Sequence, residues 1–282
     1  MLLKKYVVNL CFITIADSFR QLRTGIYYLQ VKTVRGLSYF PIPYVFWTAM
    51  KQNTDPERIL ANDMAHLWEV LLPEQRSVVT RNFTLHSFKK NQLIYAGGET
   101  PESLLVLLEG KVKTFKSGVG DRVQIIRLYR PVQYFGYRAY FAGENYTSSA
   151  AAFEPSIVGC IPMKVVELLL RENNALARFF IHELSRNLGG SDDKIVTLTQ
   201  KHIRGRLAEA LLLLADNYGL EDDDATLRIC MSREDLASLS NMTSSNATRT
   251  LGTFVEEKLI LVDGRRIKII NPAQLKKISR YG

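Results

Sequence analysis

Ser232-Arg233-Glu234-Asp235-Leu236-Ala237-Ser238-Leu239-Ser240-Asn241-Met242-Thr243-Ser244-Ser245-Asn246-Ala247-Thr248-Arg249-Thr250-Leu251 decides the fold. Ser232 places a hydroxyl at a helix start and Asp235 a carboxylate three residues on, the capping-box arrangement ahead of an apolar helix. Leu236 and Leu239 give that helix a buried face, and Ala237 lets a second helix cross closely. Asn241 is one of the few non-glycine residues that tolerate the left-handed conformation of a sharp interhelical turn. Thr243 caps the next helix, whose apolar positions Ala247, Leu251, Phe254 and Val255 are expected to face inward. Ser244, Ser245, Thr248 and Arg249 then point outward from its first turns, where a recognition helix meets the edges of DNA bases. Arginine can donate two hydrogen bonds to guanine, whereas the hydroxyls can serve phosphate or base.

Downstream, Ile260-Leu261-Val262 is joined by Asp263-Gly264 to Arg265-Arg266-Ile267-Lys268-Ile269-Ile270, a hairpin signal in which both turn residues can take positive φ. Its basic residues Arg265, Arg266 and Lys268 suit phosphate contact. Cap, turn, second helix and hairpin in this order predict a winged helix-turn-helix that binds duplex DNA. Upstream, Leu207, Ala210, Leu211 and Leu214 mark a helix over 203–217 closed by Tyr218-Gly219. The run Glu221-Asp222-Asp223-Asp224 reads as a solvated loop, because consecutive acids do not present the alternating ligands of a calcium loop.

Between Phe83 and Ile161, short runs rich in Leu, Val, Ile and aromatics are broken about every ten residues by glycine-bearing turns, which predicts an antiparallel sandwich or jelly-roll barrel. After Pro162, Phe180, Leu184, Leu188, Ser191, Ile195, Leu198 and His202 recur at steps of three and four, close to a coiled-coil seam, and predict a dimerisation helix. Gly189-Gly190 is expected to loosen or bend it. The spacing of Met64, Leu67, Trp68, Leu71 and Leu72 predicts a short amphipathic helix that Pro73 ends. The expected organisation is α+β, with an N-terminal extension over 1–61, a barrel over 62–161, helices over 162–201 and the DNA-binding domain over 202–282.

The 282 residues, 46% of them hydrophobic, suffice for two domains with their own cores. The net charge of +9 is weak support for DNA, since residues 1–58 hold eight Lys/Arg against Asp17, Asp55 and Glu57 and so carry +5 of it. Cys11, Cys160 and Cys230 are scattered, which argues against a disulfide framework or zinc site and suits a reducing cytoplasm. Residues 1–16, two lysines followed by an apolar run, loosely imitate a secretory signal but are too short to span a bilayer. The stretch after them, through Trp47, has neither steady helical nor strand periodicity. The expectation is that the working protein begins near Met50 or Met64 and engages no membrane.

The strings Ser232 to Leu239 and Thr248-Arg249-Thr250-Leu251, the wing behind them, and Gly98-Glu99 with Leu108-Glu109-Gly110-Lys111-Val112 in the barrel resemble the CRP/FNR family of bacterial transcription regulators over roughly 64–282. The resemblance implies a homodimer on a palindromic operator, contact with RNA polymerase in an activator, and a barrel ligand that repositions the DNA-binding domains through the long helix. The family often reads Glu-x-x-Ser-Arg on the recognition helix, and here the string is Ser245-Asn246-Ala247-Thr248-Arg249, keeping only the arginine. It places an effector pocket around Gly136, Tyr137, Arg138, Ser148, Ser149 and Ser191. Cyclic-nucleotide-binding members carry a carboxylate for the ribose and an Arg-Ser pair for the phosphate. Gly136-Tyr137-Arg138-Ala139 and Tyr146-Thr147-Ser148-Ser149-Ala150 offer neither, so cAMP is not expected as effector. Three scattered cysteines argue against an iron–sulfur cluster, while His66, His86, His182 and His202 leave haem open. A cupin-like metalloenzyme or a ligand-binding barrel protein is the alternative, although no two histidines lie close together as such metal sites require. An exported or membrane-tethered binding protein is a third reading, and the DNA-binding motif argues against it.

Overall fold

The computed structural model describes residues 20–21, 27–33, 36–42, 60, 64–118, 120 and 122–281. Residues 1–59 and 60–282 form separate compact units. In the first, β1 (Arg20–Gln21), β2 (Tyr27–Thr33) and β3 (Gly36–Ile42) make an antiparallel sheet, with β2 and β3 paired from Tyr27 opposite Ile42 to Thr33 opposite Gly36. The lack of periodicity there concealed strands, because main-chain pairing needs no alternation of apolar side chains. The signal-like residues 1–16 and Met50 lie outside the described residues. Met64 and Leu60 are both fully buried in the second unit.

The second unit opens with α1 (Ala65–Val70) and α2 (Pro73–Asn82). Met64, Leu67, Trp68 and Leu71 are buried, but Leu72 is exposed, since it has left the helix and its N–H donates to the Gln75 side-chain oxygen. Pro73 both ends α1 and opens α2, where its missing N–H costs nothing.

Eight strands follow: β4 (Thr84–Phe88), β5 (Leu93–Tyr95), β6 (Ser103–Glu109), β7 (Val112–Ser117), β8 (Val123–Tyr129), β9 (Tyr134–Phe135), then α3 (Tyr137–Phe141), β10 (Ser149–Ala152) and β11 (Ser156–Pro162). They form two four-stranded antiparallel sheets in the orders β5-β10-β7-β8 and β4-β11-β6-β9. Tyr95, Leu107, Val112, Phe135, Ala150 and Val158 fill the space between them. Gly110, in the β6–β7 turn, has φ +81°, and a Cβ there would come within 2.4 Å of the Pro155 carbonyl and the Ser156 hydroxyl. This double constraint of backbone and space admits only glycine.

The helical segment divides into α4 (Met163–Glu172) and α5 (Asn174–Gln200). Asn173 makes the break: its oxygen accepts the Leu176 N–H at 3.0 Å, and its amide donates to the Val70 carbonyl and the Gln75 side chain. The 27-residue α5 runs through Gly189-Gly190 without interruption. On the expected seam Phe180 is buried in the barrel, Leu188 and Ile195 are exposed, and His202 lies beyond the helix, at the cap of the next.

The remainder comprises α6 (Ile203–Tyr218), α7 (Arg233–Ser240), α8 (Ser244–Glu256), β12 (Ile260–Asp263), β13 (Arg266–Ile269) and α9 (Pro272–Tyr281). Leu207, Leu211, Leu214, Leu236, Ala247, Leu251, Phe254, Ile267 and Leu275 share one core. Val255 is exposed instead of inward, because it is eight residues from Ala247, about 80° round the helix from it. The helix α9 has a readable signal in Asn271-Pro272: the Asn271 side chain accepts the Gln274 N–H, and Pro272 sits at the first helical position.

Candidate nucleic-acid interface and barrel cavity

The local geometry of the helix pair follows its residues. The Ser232 hydroxyl accepts the Asp235 N–H at 3.0 Å and donates to the Asp235 carboxylate at 2.6 Å. Asn241 adopts the left-handed conformation, φ 52° and ψ 59°, and Thr243 caps α8 by accepting the Asn246 N–H. This turns α8 across α7 and leaves Ser244, Ser245, Thr248 and Arg249 exposed together. Thr248 donates its hydroxyl proton to the Ser244 carbonyl at 2.9 Å, so outward it offers an acceptor and a methyl. Arg249 has no side-chain partner among the described residues, and all its guanidinium donors are available.

The wing departs from the expected turn. Asp263 pairs with Arg266, so the two-residue loop is Gly264-Arg265, and of these only Gly264 has positive φ, at 55°. Glycine at the first loop position with a negative-φ residue after it is the type II′ pattern. Arg233 donates to the Gly264 carbonyl at 3.1 Å and ties the wing tip to α7. The three basic residues differ in surroundings. Arg265 is exposed without a partner among the described residues, whereas Arg266 pairs with Glu221, and Lys268 with Asp223 at 3.2 Å.

The other side of the helix pair rests on the barrel. On β7 and β8, Thr114 stands opposite Arg127 and Val112 opposite Tyr129 on one face, with Lys113 opposite Leu128 on the other. Leu128 and Ile125 join the core of the DNA-binding domain. Lys113 reaches the Asp235 carboxylate at 2.7 Å, with side-chain exposures of 17% and 22%, so the ion pair is largely withdrawn from water. Burial by itself would raise the Asp235 carboxyl, but hydrogen bonds from Lys113 and Ser232 hold it below the ordinary carboxylate range.

The opposite face lines a cavity of about 470 Å³, which falls within the range of small-ligand sites. Thr114, Arg127 and Tyr129 contribute from these strands, Tyr95 and Tyr146 from the barrel, Arg138 from α3, and Asn187 and Ser191 from α5. The Tyr95 and Tyr146 rings stack at 3.7 Å between centroids. Burial raises the Tyr146 hydroxyl to about 12, so it is a neutral donor. Arg127 donates to the Asn187 side chain and, at 3.2 Å, to its carbonyl, while the Asn187 amide reaches the Tyr137 hydroxyl at 3.3 Å. Arg138 donates to Thr147 at 2.9 Å. Among the described residues, no Asp, Glu or His lines the cavity. All four histidines are exposed, and no cluster of metal-ligating side chains occurs among the described residues.

Comparison with known proteins places these two sites. A family model described as a cyclic nucleotide-binding domain matches residues 85–173, and one described as a Crp-like helix-turn-helix domain matches residues 205–278. The chain thus carries a cyclic nucleotide-binding domain followed by a Crp-like helix-turn-helix domain, the organisation of CRP/FNR transcription regulators. The global nitrogen regulator of Synechococcus elongatus is 26% identical over 196 residues, 68% of this chain and 88% of that protein. The fumarate and nitrate reduction regulatory protein of Vibrio cholerae is 25% identical over 192 residues, 68% of this chain and 76% of that one. Among solved structures, FixK2 from Bradyrhizobium japonicum has a TM-score of 0.64 at 22% identity, covering 70% of this chain and 96% of its own.

These relatives are transcription regulators, a non-enzyme family, which sets aside the cupin-like enzyme. Among the described residues, no helix is long and apolar enough to cross a membrane. Within this CRP/FNR frame the cavity gathers Gly136, Tyr137, Arg138, Ser148 and Ser191, but not Ser149, whose hydroxyl accepts the Gly97 N–H at 3.0 Å. Sequence reading missed Tyr95, Thr114, Arg127, Tyr129, Tyr146 and Asn187. It also expected no cationic partner for a phosphate, whereas Arg127 and Arg138 both line the cavity, with Arg138 donating to Thr147. What the cavity does lack is a carboxylate to accept from a ribose hydroxyl.

Proposed function

We propose that this regulator works as a homodimer that reads a palindromic operator in the cytoplasm, with DNA affinity set by an anionic effector other than cAMP in the barrel cavity. Arg249, exposed in the first turns of α8 and without a side-chain partner among the described residues, carries the DNA reading. Ser244, Ser245 and Thr248 stand beside it to contact bases or phosphates, and Arg265 extends the contact from the wing tip. Arg266 and Lys268 belong to the same basic strand, behind their acidic partners. Exposed Ile181, Leu188, Ile195 and Val196 on α5 support the dimer, since a soluble helix gains by burying such a stripe against its twin. Two recognition helices related by a two-fold would meet half-sites about 34 Å apart. In an activator, RNA polymerase would be the further partner.

The effector reading rests on the cavity's composition: two guanidiniums and several phenol and hydroxyl donors, with no carboxylate. Mobility shift on the regulator's own promoter region, with wild type and Arg249→Ala, tests the DNA reading, and a specific shift that survives the substitution unchanged would sink it. Calorimetric titration tests the effector reading: no cAMP binding is expected at micromolar concentration.

A further inference from the structure

Two of the wing's three cations are already spoken for within the chain. Residues 225–227 run beside β13, with the Leu227 N–H on the Ile267 carbonyl and the Ile269 N–H on the Ala225 carbonyl, both at 2.9 Å. That register fixes the loop before them. The Glu221 N–H donates to the Thr226 carbonyl at 2.7 Å, and the Asp223 carboxylate accepts from the Thr226 N–H at 2.8 Å and its hydroxyl at 2.7 Å. Arg266 and Lys268, two apart on β13, emerge on the same face of the strand. There Glu221 meets Arg266 and Asp223 meets Lys268, while Asp222 takes Arg228 at 3.7 Å.

We propose that the acidic loop 221–224 is an internal competitor for DNA: Glu221 and Asp223 withhold Arg266 and Lys268 from phosphate, so the wing meets the backbone through Arg265 alone. This rests on the DNA-binding reading above and refines it. Arg266 keeps 54% and Glu221 31% side-chain exposure, and pairs this open contribute little to stability. Their effect is therefore on charge available to DNA, with little on the fold. Each phosphate neutralised by a protein cation adds about 0.9 to the slope of log affinity against log salt, whatever the base sequence.

The test uses the full-length protein and a random-sequence 30-base-pair duplex, with affinity measured by fluorescence anisotropy across a salt series. Glu221→Gln is near-isosteric, and its melting temperature is measured alongside. For each protomer engaged, it is expected to bind roughly two- to fivefold tighter near physiological salt, the range of a surface ion pair, and with a slope steeper by about 0.9. In an Arg266→Ala background the same substitution is expected to change neither quantity. Glu221→Gln with wild-type slope overturns the proposal, as does a gain that persists without Arg266, which would reflect only the general removal of negative charge. If the wild-type protein fails to bind the duplex even at low salt, the DNA-binding reading falls first.

Discussion

The two arginine-bearing sites of this regulator are built in opposite ways. On the DNA side Arg249 stands exposed with its donors free, positioned by a helix whose caps and core are satisfied without it. In the barrel Arg127 is held by Asn187 of α5, and Arg138 by Thr147. A group left free can bind at once, whereas one already satisfied can bind only by exchanging partners. Under the proposed effector reading, an anion that drew Arg127 off Asn187 would release a contact of α5. The strands β7 and β8 supply a second link, because adjacent residues Lys113 and Thr114 touch the DNA-binding domain and the cavity respectively.

The largest test of the contrast is Arg249→Ala. Losing a bidentate contact to guanine costs about 1–3 kcal/mol, roughly 5- to 150-fold in specific affinity. With no internal partner to disturb, the melting temperature is expected to stay within about a degree or two of wild type. Anisotropy and calorimetric melting on one preparation check both, and a large loss of stability would show Arg249 to be structural.

That asymmetry also governs how much could be read from sequence. The DNA side was legible because its determinants are local: Ser232 with Asp235, Asn241, and Thr243 with Asn246 all act within a few residues. The cavity was legible only in part. Gly136 to Arg138 lie in one segment, but Tyr95, Thr114, Arg127 and Asn187 come from four different elements. Which residues of β7 and β8 face inward depends on a register shift between Thr114 and Phe115, and one residue of slip exchanges the faces of a strand. The acidic loop is solvated as read, but its pairing with the wing was illegible for a related reason, since it exists only through the register of residues 225–227 on β13. Val255 shows the converse error, a local pattern extended one position too far.

The middle-sized effect concerns the joint between the two sites. Lys113→Met is expected to lower stability by about 1–2 kcal/mol at pH 7, the scale of a partly buried hydrogen bond to a charged group. The Asp235 carboxyl is depressed in the folded state, so its contribution is present above the ordinary aspartate value of about 3.9 and lost as pH falls through the folded value. The difference between wild type and variant should therefore close below pH 4 in urea titrations at a series of pH values. A gap that stays constant with pH would mean that Lys113 acts through packing on Phe153, over whose ring its ammonium lies at 5.5 Å.

A change visible only along the pH axis sharpens the contrast from the α5 side. Lys194 donates to the Ile125 and Ile126 carbonyls of β8, and burial together with the Arg127 charge lowers it to about 8. A lysine depressed on folding penalises the folded state below that value, and the penalty is relieved as pH rises from about 8 toward the ordinary 10.4. Stability should thus rise by on the order of 1 kcal/mol per pH unit across that interval. Tyrosines titrate nearby, so the informative quantity is the difference from Lys194→Met, in which the rise should be absent. Arg127 is the charge that Lys194 feels, and an effector anion neutralising Arg127 would raise the Lys194 value and move the interval upward. The same titration, repeated with a candidate ligand, therefore reports whether it has engaged Arg127, and a ligand that binds without shifting the interval has bound elsewhere.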